Sequence, residues 1–467
     1  MKNLRLTFWL MLLATMFYQC SKDDLPDDSS SDLKSKNFQK CKPGITFTVK
    51  IENISTVYDY FEAGAQFIPD GESSPGPAFP GHSFTIKFHA GKAHKLSFAT
   101  MYGASNDLFY APSGDGISLF DTDGNPTTGD ITSLISLWDA GTEVNHAPAS
   151  GENGAEESET IKSVRNTDHV MDGFTYNNVE ENLEATLAYD GTSEFTLTIK
   201  DLAGSSTPLS PVAWVVHYDG QNPIFTEGKL DYGKGLENLA ETGNATQLSE
   251  YLTMNSGYVS PIAPGVWVLH KKDLRPVFTE GELDYGYGLE MLSEVGDPTV
   301  EYNSLLGDGY ETGIYNTPDG ASDPGPLFPG ESYTFTVKAN PGDYLSFASM
   351  LGKSNDLFLA PGDMGIRLFD GYRPICNDIT DQIMLWDAGT EVNEYPGAGI
   401  HQGPGGISES ENVMTVNDIY DWPDALEVVK VTITAGKPSF PGHGYGHGNR
   451  YPYYRKFNNH HTNHYFR

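Results

Sequence analysis

The chain has 467 residues, 50 of them glycine and 29 proline, a length for two to four domains and a composition for short strands joined by many turns. Its formal charge of −34 repels phosphate backbones and anionic lipid, which excludes binding of nucleic acid, or of a membrane surface through the folded body. Cations are the natural partners of such a surface.

The N-terminus, Met1-Lys2-Asn3-Leu4-Arg5, precedes an apolar run from Leu6 to Tyr18 and then Gln19-Cys20-Ser21-Lys22-Asp23-Asp24. A basic start and an apolar run too short for a permanent span predict a signal peptide over 1–20. A cysteine closing that run resembles a lipobox, which implies cleavage before Cys20 and its acylation, with membrane contact through the lipid anchor only. The expected location is the outer membrane or cell surface, facing outward, with plain secretion as the alternative. Residues 21–40 are polar and read as a flexible stalk. Cys41 and Cys376 then remain for the folded part, far apart in sequence, so stability is expected from cores rather than from a disulfide framework.

Self-similarity organises the rest. Pro75-Gly76-Pro77-Ala78-Phe79-Pro80-Gly81 recurs as Pro324-Gly325-Pro326-Leu327-Phe328-Pro329-Gly330. Leu96-Ser97-Phe98-Ala99 recurs as Leu345-Ser346-Phe347-Ala348, and Ser105-Asn106-Asp107-Leu108-Phe109 as Ser354-Asn355-Asp356-Leu357-Phe358. Nine residues from Leu137 to Asn145 return unchanged from Leu385 to Asn393. Alternating apolar and polar residues at Ile45 to Ile51, Ser83 to Phe88, Glu194 to Ile199, Ser332 to Val337 and Val428 to Ile433 predict half-buried antiparallel strands. Many such strands between Gly/Pro turns predict an all-β chain built of β-sandwiches.

A smaller duplication lies between these anchors. Phe225 to Gly243 aligns with Phe278 to Gly296, each preceded by an apolar strand, Trp214 to His217 or Trp267 to His270, and each containing a short helical segment such as Gly288 to Glu294. The first copy of the large repeat shows only Tyr58 to Asp70 in the corresponding place. The expected division is therefore 41–192 for a first domain, 193–437 for a second enlarged by the tandem insertion, and 438–467 for a disordered tail rich in His, Tyr and Gly. Residues 193–437 contain a full set of strands and anchors, so they are expected to fold alone.

Together these anchors resemble the spondin N-terminal domain, found in F-spondin, mindin and many bacterial surface proteins. Its most specific parts are the Ser-x-Asp turn after a Leu-Ser-Phe strand and Trp-Asp-Ala-Gly-Thr-[Asp/Glu] about thirty residues later, present here in order and twice. The resemblance covers most of 45–435 and implies two C2-like β-sandwiches, extracellular placement, an adhesive or ligand-binding role and bound Ca²⁺. The chain departs from animal members in lacking their cysteine pairs and in ending the motif with Glu143 and Glu391 in place of Asp.

The family's calcium ligands fall on Asp107, Asp139 and Glu143 in the first copy and on Asp356, Asp387 and Glu391 in the second. Asp-Ala-Gly-Thr-Glu sets two carboxylates around a small-residue bend, and a third arrives from a loop thirty-odd residues away. Calcium takes six to eight oxygens, which suits such a set, whereas zinc calls for His or Cys, absent from these loops. The competing reading is that each aspartate caps a turn through its own backbone. Asp121-Thr122-Asp123-Gly124-Asn125 looks like part of a calcium loop but lacks a counterpart in the second copy and reads as a turn. His217 and His270 read as packed, hydrogen-bonded histidines. The tail histidines, among them His443, His447, His460, His461 and His464, form a weakly basic cluster with capacity for Zn or Cu.

No catalytic residues are assigned. The expected function is a calcium-binding adhesion or ligand-binding module for an extracellular protein or glycan; the alternative is an extracellular calcium-dependent hydrolase.

Overall fold

The structure is a computed structural model describing residues 44–148, 150, 162–403 and 405–436. Cys20, Cys41 and the histidine-rich tail lie outside these residues. The chain is mostly β, folded into several antiparallel sheets. No described helix is long and apolar enough to cross a membrane.

Two four-stranded and two seven-stranded sheets repeat one plan. The first four-stranded sheet has the order Ser83–His89, Glu194–Asp201, Leu183–Tyr189, Gly129–Asp130. The second has the order Ser332–Ala339, Ile45–Asn53, Val429–Ala435, Asn377–Asp378. The larger sheets run Glu62–Gln66, Val212–Tyr218, His94–Met101, Leu108–Pro112, Ile135–Asp139, Arg165–Asn166, and Glu311–Tyr315, Ile262–Lys271, Asp343–Leu351, Leu357–Pro361, Ile383–Asp387, Met414–Thr415. In each, one further two-residue strand, Ile117–Ser118 or Ile366–Arg367, pairs with the Leu-Ser-Phe strand.

Strand pairing does not follow the expected division at 192/193. Glu194–Asp201 pairs with Ser83–His89 and Leu183–Tyr189, and Val212–Tyr218 pairs with Glu62–Gln66 and His94–Met101, all within the first half. Conversely, Ile45–Asn53 sits between Ser332–Ala339 and Val429–Ala435 of the second half, Phe47 opposite both Val337 and Ala435. The position taken by Glu194–Asp201 in one half is thus taken by the N-terminal strand in the other. The smaller duplication is no insertion into the second copy, because its first unit supplies the first half with a central strand and a helix pair.

Burial explains why the two kinds of strand read differently. In Ile45–Asn53, Phe47, Val49 and Ile51 enter the second core while Thr46, Thr48 and Lys50 stay outside it, the two-residue period of a sheet with one buried face. Val212–Tyr218 is buried on both faces, and reads as an unbroken apolar run. Its Val212, Trp214 and Val216 face the four-stranded sheet's Phe84, Phe88, Phe195 and Leu197. Ala213 and Val215 face Leu236, Leu239, Leu248 and Leu252 on the helices Leu236–Thr242 and Thr246–Met254. The helices Leu289–Val295 and Thr299–Gly307 cover the second large sheet in the same way, with Leu289, Leu292 and Leu305 against Val266, Val268 and Trp386.

Candidate functional site

In both halves the Ser-x-Asp turn aims an aspartate at the Asp-Ala-Gly-Thr-Glu bend. The Ser105 hydroxyl donates to Tyr102 O at 2.6 Å and accepts Leu108 N–H at 3.1 Å, and Ser354 does the same with Leu351 O at 2.6 Å and Leu357 N–H at 3.3 Å. The strand that follows places Leu108 opposite Asp139 and Leu357 opposite Asp387, so the preceding aspartates reach the bends.

Asp107 Oδ2 accepts the N–H groups of Thr142 at 2.8 Å and Glu143 at 3.1 Å. Asp356 Oδ2 accepts those of Thr390 at 2.7 Å and Glu391 at 3.1 Å. Asp139 and Asp387 each cap their own bend, taking the N–H of Gly141 and Gly389 at 2.7 Å. Their Oδ2 atoms accept the side-chain amides of Asn145 at 2.7 Å and Asn393 at 2.6 Å, which accounts for the asparagine that ends each nine-residue repeat. Turn capping is therefore part of what these aspartates do. It leaves Asp107 Oδ1, Asp356 Oδ1 and Glu391 Oε2 buried without a hydrogen-bond partner.

The carboxylates raise one another's pKa within this buried setting. Burial, then the charge of Asp139, pushes Asp107 up to about 7. Burial pushes Asp356 up to about 6, and burial followed by the charge of Asp356 takes Asp387 to about 6. Glu391 rises to about 7 through burial and then the charge of Glu294.

Glu294 and its counterpart Glu241 are site residues that the motifs did not single out. Each sits near the C-terminal end of the first helix of its pair; burial raises both, and each bonds a threonine of the bend, Thr142 or Thr390. Their signal in sequence is the glutamate shared by Leu239-Ala240-Glu241 and Leu292-Ser293-Glu294.

The two sites differ in their compensating charge. In the first, Arg165 lies opposite Asp139 in the ladder and binds its Oδ2 through Nε at 3.2 Å and a terminal nitrogen at 2.8 Å. In the second, Met414 stands opposite Asp387. Lys162 donates its backbone N–H to Gly141 O, and the residue making the same bond to Gly389 O is Glu411.

All six expected metal-site residues are thus gathered, three to each half. As the side chains stand, no group of three His, Cys, Asp or Glu among the described residues is arranged to hold a metal ion. The fit to calcium rests on the donor chemistry, all oxygen, and on the buried oxygens left over in each half. It is better in the second half, where no guanidinium occupies the aspartate.

Asp121 spends Oδ1 on the N–H groups of Asp123 and Asn125 and Oδ2 on the Asn125 amide, which makes 121–125 a self-satisfied turn. His217 and His270 are buried pairs with serine: Nε2 lies 2.9 Å from Ser97 Oγ or Ser346 Oγ, and Nδ1 lies 3.0 Å from a backbone carbonyl, Tyr218 O or Lys271 O. A Cβ on Gly116 would come within 2.7 Å of His217 Nε2, and one on Gly365 within 2.6 Å of Ser346 Oγ, so backbone seals both pairs from reactants.

No family model matches the chain, and no curated protein matches it.

Proposed function

We propose that the chain is an exported surface lipoprotein, a binding rather than a catalytic module, built on two spondin-type β-sandwiches that use calcium to fix their ligand-facing loops. The observation that supports this most is the duplicated buried aspartate, Asp107 and Asp356, each holding a bend through Oδ2 while Oδ1 has no partner. Leaving a buried carboxylate oxygen unmatched is costly, and a cation is the natural way to offset it.

Asp356, Asp387 and Glu391, with Glu294 beside them, would hold the ion in the second half, and Asp107, Asp139 and Glu143 in the first. When bound, calcium supplies the positive charge that lets these groups stay ionised at neutral pH. The residues themselves tie the Ser-x-Asp turn to the Thr-Glu bend, so their charge state governs how firmly that end of each sandwich is held. An extracellular protein or glycan is the expected partner of the loops there.

Calorimetric titration of residues 43–436 with Ca²⁺, paired with melting in Ca²⁺ and in EDTA, tests the metal reading. Absence of both heat and a melting shift rejects it. The anchoring reading is tested apart from it: Cys20→Ala is expected to move the protein from membrane to soluble fractions, and unchanged fractionation rejects lipidation.

A further inference from the structure

A cavity of about 380 Å³ lies where the two halves meet, lined by Lys92, His94 and Tyr218 from the first and by Met350, Lys353 and Ile400 among others from the second. A chain of charge −34 sets two ammonium groups and no carboxylate among the residues of this one wall. Two lysines on the wall of a concave site favour an anion.

Three features show construction. Lys353 is one of two described non-glycine residues with positive φ, at 59°, a conformation that costs a branched or long side chain free energy and is a pointer to function where it is kept. In the matching Met-Tyr-Gly-Ala-Ser-Asn-Asp segment of the first half this residue is Ala104, whose φ is not positive. The lysine crosses to the other half, its Nζ 2.9 Å from Tyr218 Oη and 5.0 Å from the ring centroid.

His94 is buried and stacks on Phe61 at 4.3 Å, and its Nδ1 accepts the Gly91 N–H at 2.9 Å, which leaves the ring proton on Nε2. Burial and then Lys353 hold its pKa down to about 3, so it stays a neutral donor. The loop bearing Ile400 is docked firmly: Tyr395 stacks on His89 at 3.6 Å, and Glu394 spends its carboxylate on the His401 N–H at 2.9 Å and the His401 ring at 2.8 Å. Its acidic group is therefore engaged within the loop.

We infer that this cavity between the halves binds an acidic sugar ring, its carboxylate met by Lys353 and Lys92 and its body resting among Tyr218, Met350 and Ile400. The volume suits one such ring, the lysines select the charge, and Gln402, whose Nε2 donates to Tyr395 O at 2.8 Å, offers its amide oxygen to a hydroxyl.

The test is titration of residues 43–436 with D-glucuronate, with methyl glucoside as the neutral control and inorganic phosphate as the anion without a ring, all in EDTA to keep it independent of calcium. Glucuronate is expected to bind in the millimolar range and to lose at least about tenfold in affinity in Lys353→Met and in Lys92→Met, the loss of one charge-assisted contact. Lys353→Gly is expected to lose binding while melting no lower than the parent, since glycine accepts the left-handed backbone. The inference is overturned if glucuronate gives no response at millimolar concentration, if methyl glucoside or phosphate binds as well, or if Lys353→Met binds unchanged.

Discussion

The guanidinium of Arg165 lies 2.8 Å from Asp139 Oδ2, and the residue facing Asp387 at the same point of the second ladder is Met414. One site therefore carries its own cation and the other does not. Calcium must compete with Arg165 in the first half, whereas around the second it meets further carboxylates, those of Glu294, Glu409 and Glu411, which attract it. Two-site calorimetry is expected to show the tighter class removed by Asp387→Asn, with Asp139→Asn touching only the weaker one. Arg165→Met is expected to tighten the weaker class. At a hundredfold excess over Kd the tighter site stabilises by about 2.7 kcal/mol, which disappears from the melting shift in Asp387→Asn. Equal loss in both asparagine variants would reject the asymmetry.

The acidic bends were legible in sequence because nine identical residues carry the whole local arrangement, from the aspartate that caps its bend to the asparagine that braces it. Arg165 was not, since it lies outside the repeat and meets Asp139 only through the pairing of Ile135–Asp139 with Arg165–Asn166. Strand positions were equally plain from alternation at Ile45 to Ile51 and Glu194 to Ile199. Their partners were not: alternation records which face of a strand is buried, and two strands with the same pattern can trade sheets without changing it. Only the long-range pairing reveals that these two strands have exchanged the halves expected of them, Glu194–Asp201 belonging to the first and Ile45–Asn53 to the second.

That exchange predicts how the chain can be cut. Fragment 193–437 lacks Ile45–Asn53, the strand hydrogen-bonded on both sides in its four-stranded sheet, and with it Phe47, Val49 and Ile51 of the core. Each such side chain contributes roughly 1.5–3 kcal/mol of burial, together comparable with the whole stability of a domain. The fragment is expected to show no cooperative unfolding. Residues 57–258 contain every strand and helix of the first half and are expected to melt as a unit. Cooperative unfolding of 193–437 by circular dichroism would count against the exchange.

The sealed Ser–His pairs predict a structural phenotype. Ser346→Ala leaves His270 Nε2 without its buried partner, a loss of about 1–3 kcal/mol. Gly365→Ala adds a Cβ 2.6 Å from Ser346 Oγ on a backbone at φ 70°, and is expected to destabilise at least as much. Urea unfolding measures both. A normal midpoint in either variant would mean the pair is not packed as described.

Glu301 gives the pH dependence a distinct signature. It lies on Thr299–Gly307 where the first half has Leu248 on Thr246–Met254, both against the glycine that precedes the first helix of the pair, Gly288 or Gly235. The glutamate is buried, its Oε2 has no partner, and burial followed by the charge of Asp284 pushes its pKa up to about 8. A folded pKa above the unfolded value means the folded state holds the proton more tightly. Its contribution is therefore fully present below about pH 4.5 and is lost as pH rises toward 8. His217, pushed down to about 4 by burial, works in the opposite direction, since its neutral form fits the fold and stability is lost as pH falls from about 6.5 to 4. Glu301→Leu restores the first half's choice at this position, so it is expected to raise the denaturation midpoint most at pH 8 and progressively less toward pH 4.5. Glu301→Gln, which keeps the shape and removes only the charge, is expected to follow the same trend with a smaller gain, because an amide is left buried. Denaturant midpoints of the parent and both variants across pH 4.5–8 decide the matter, and a gain independent of pH would show that Glu301 is not the titrating group.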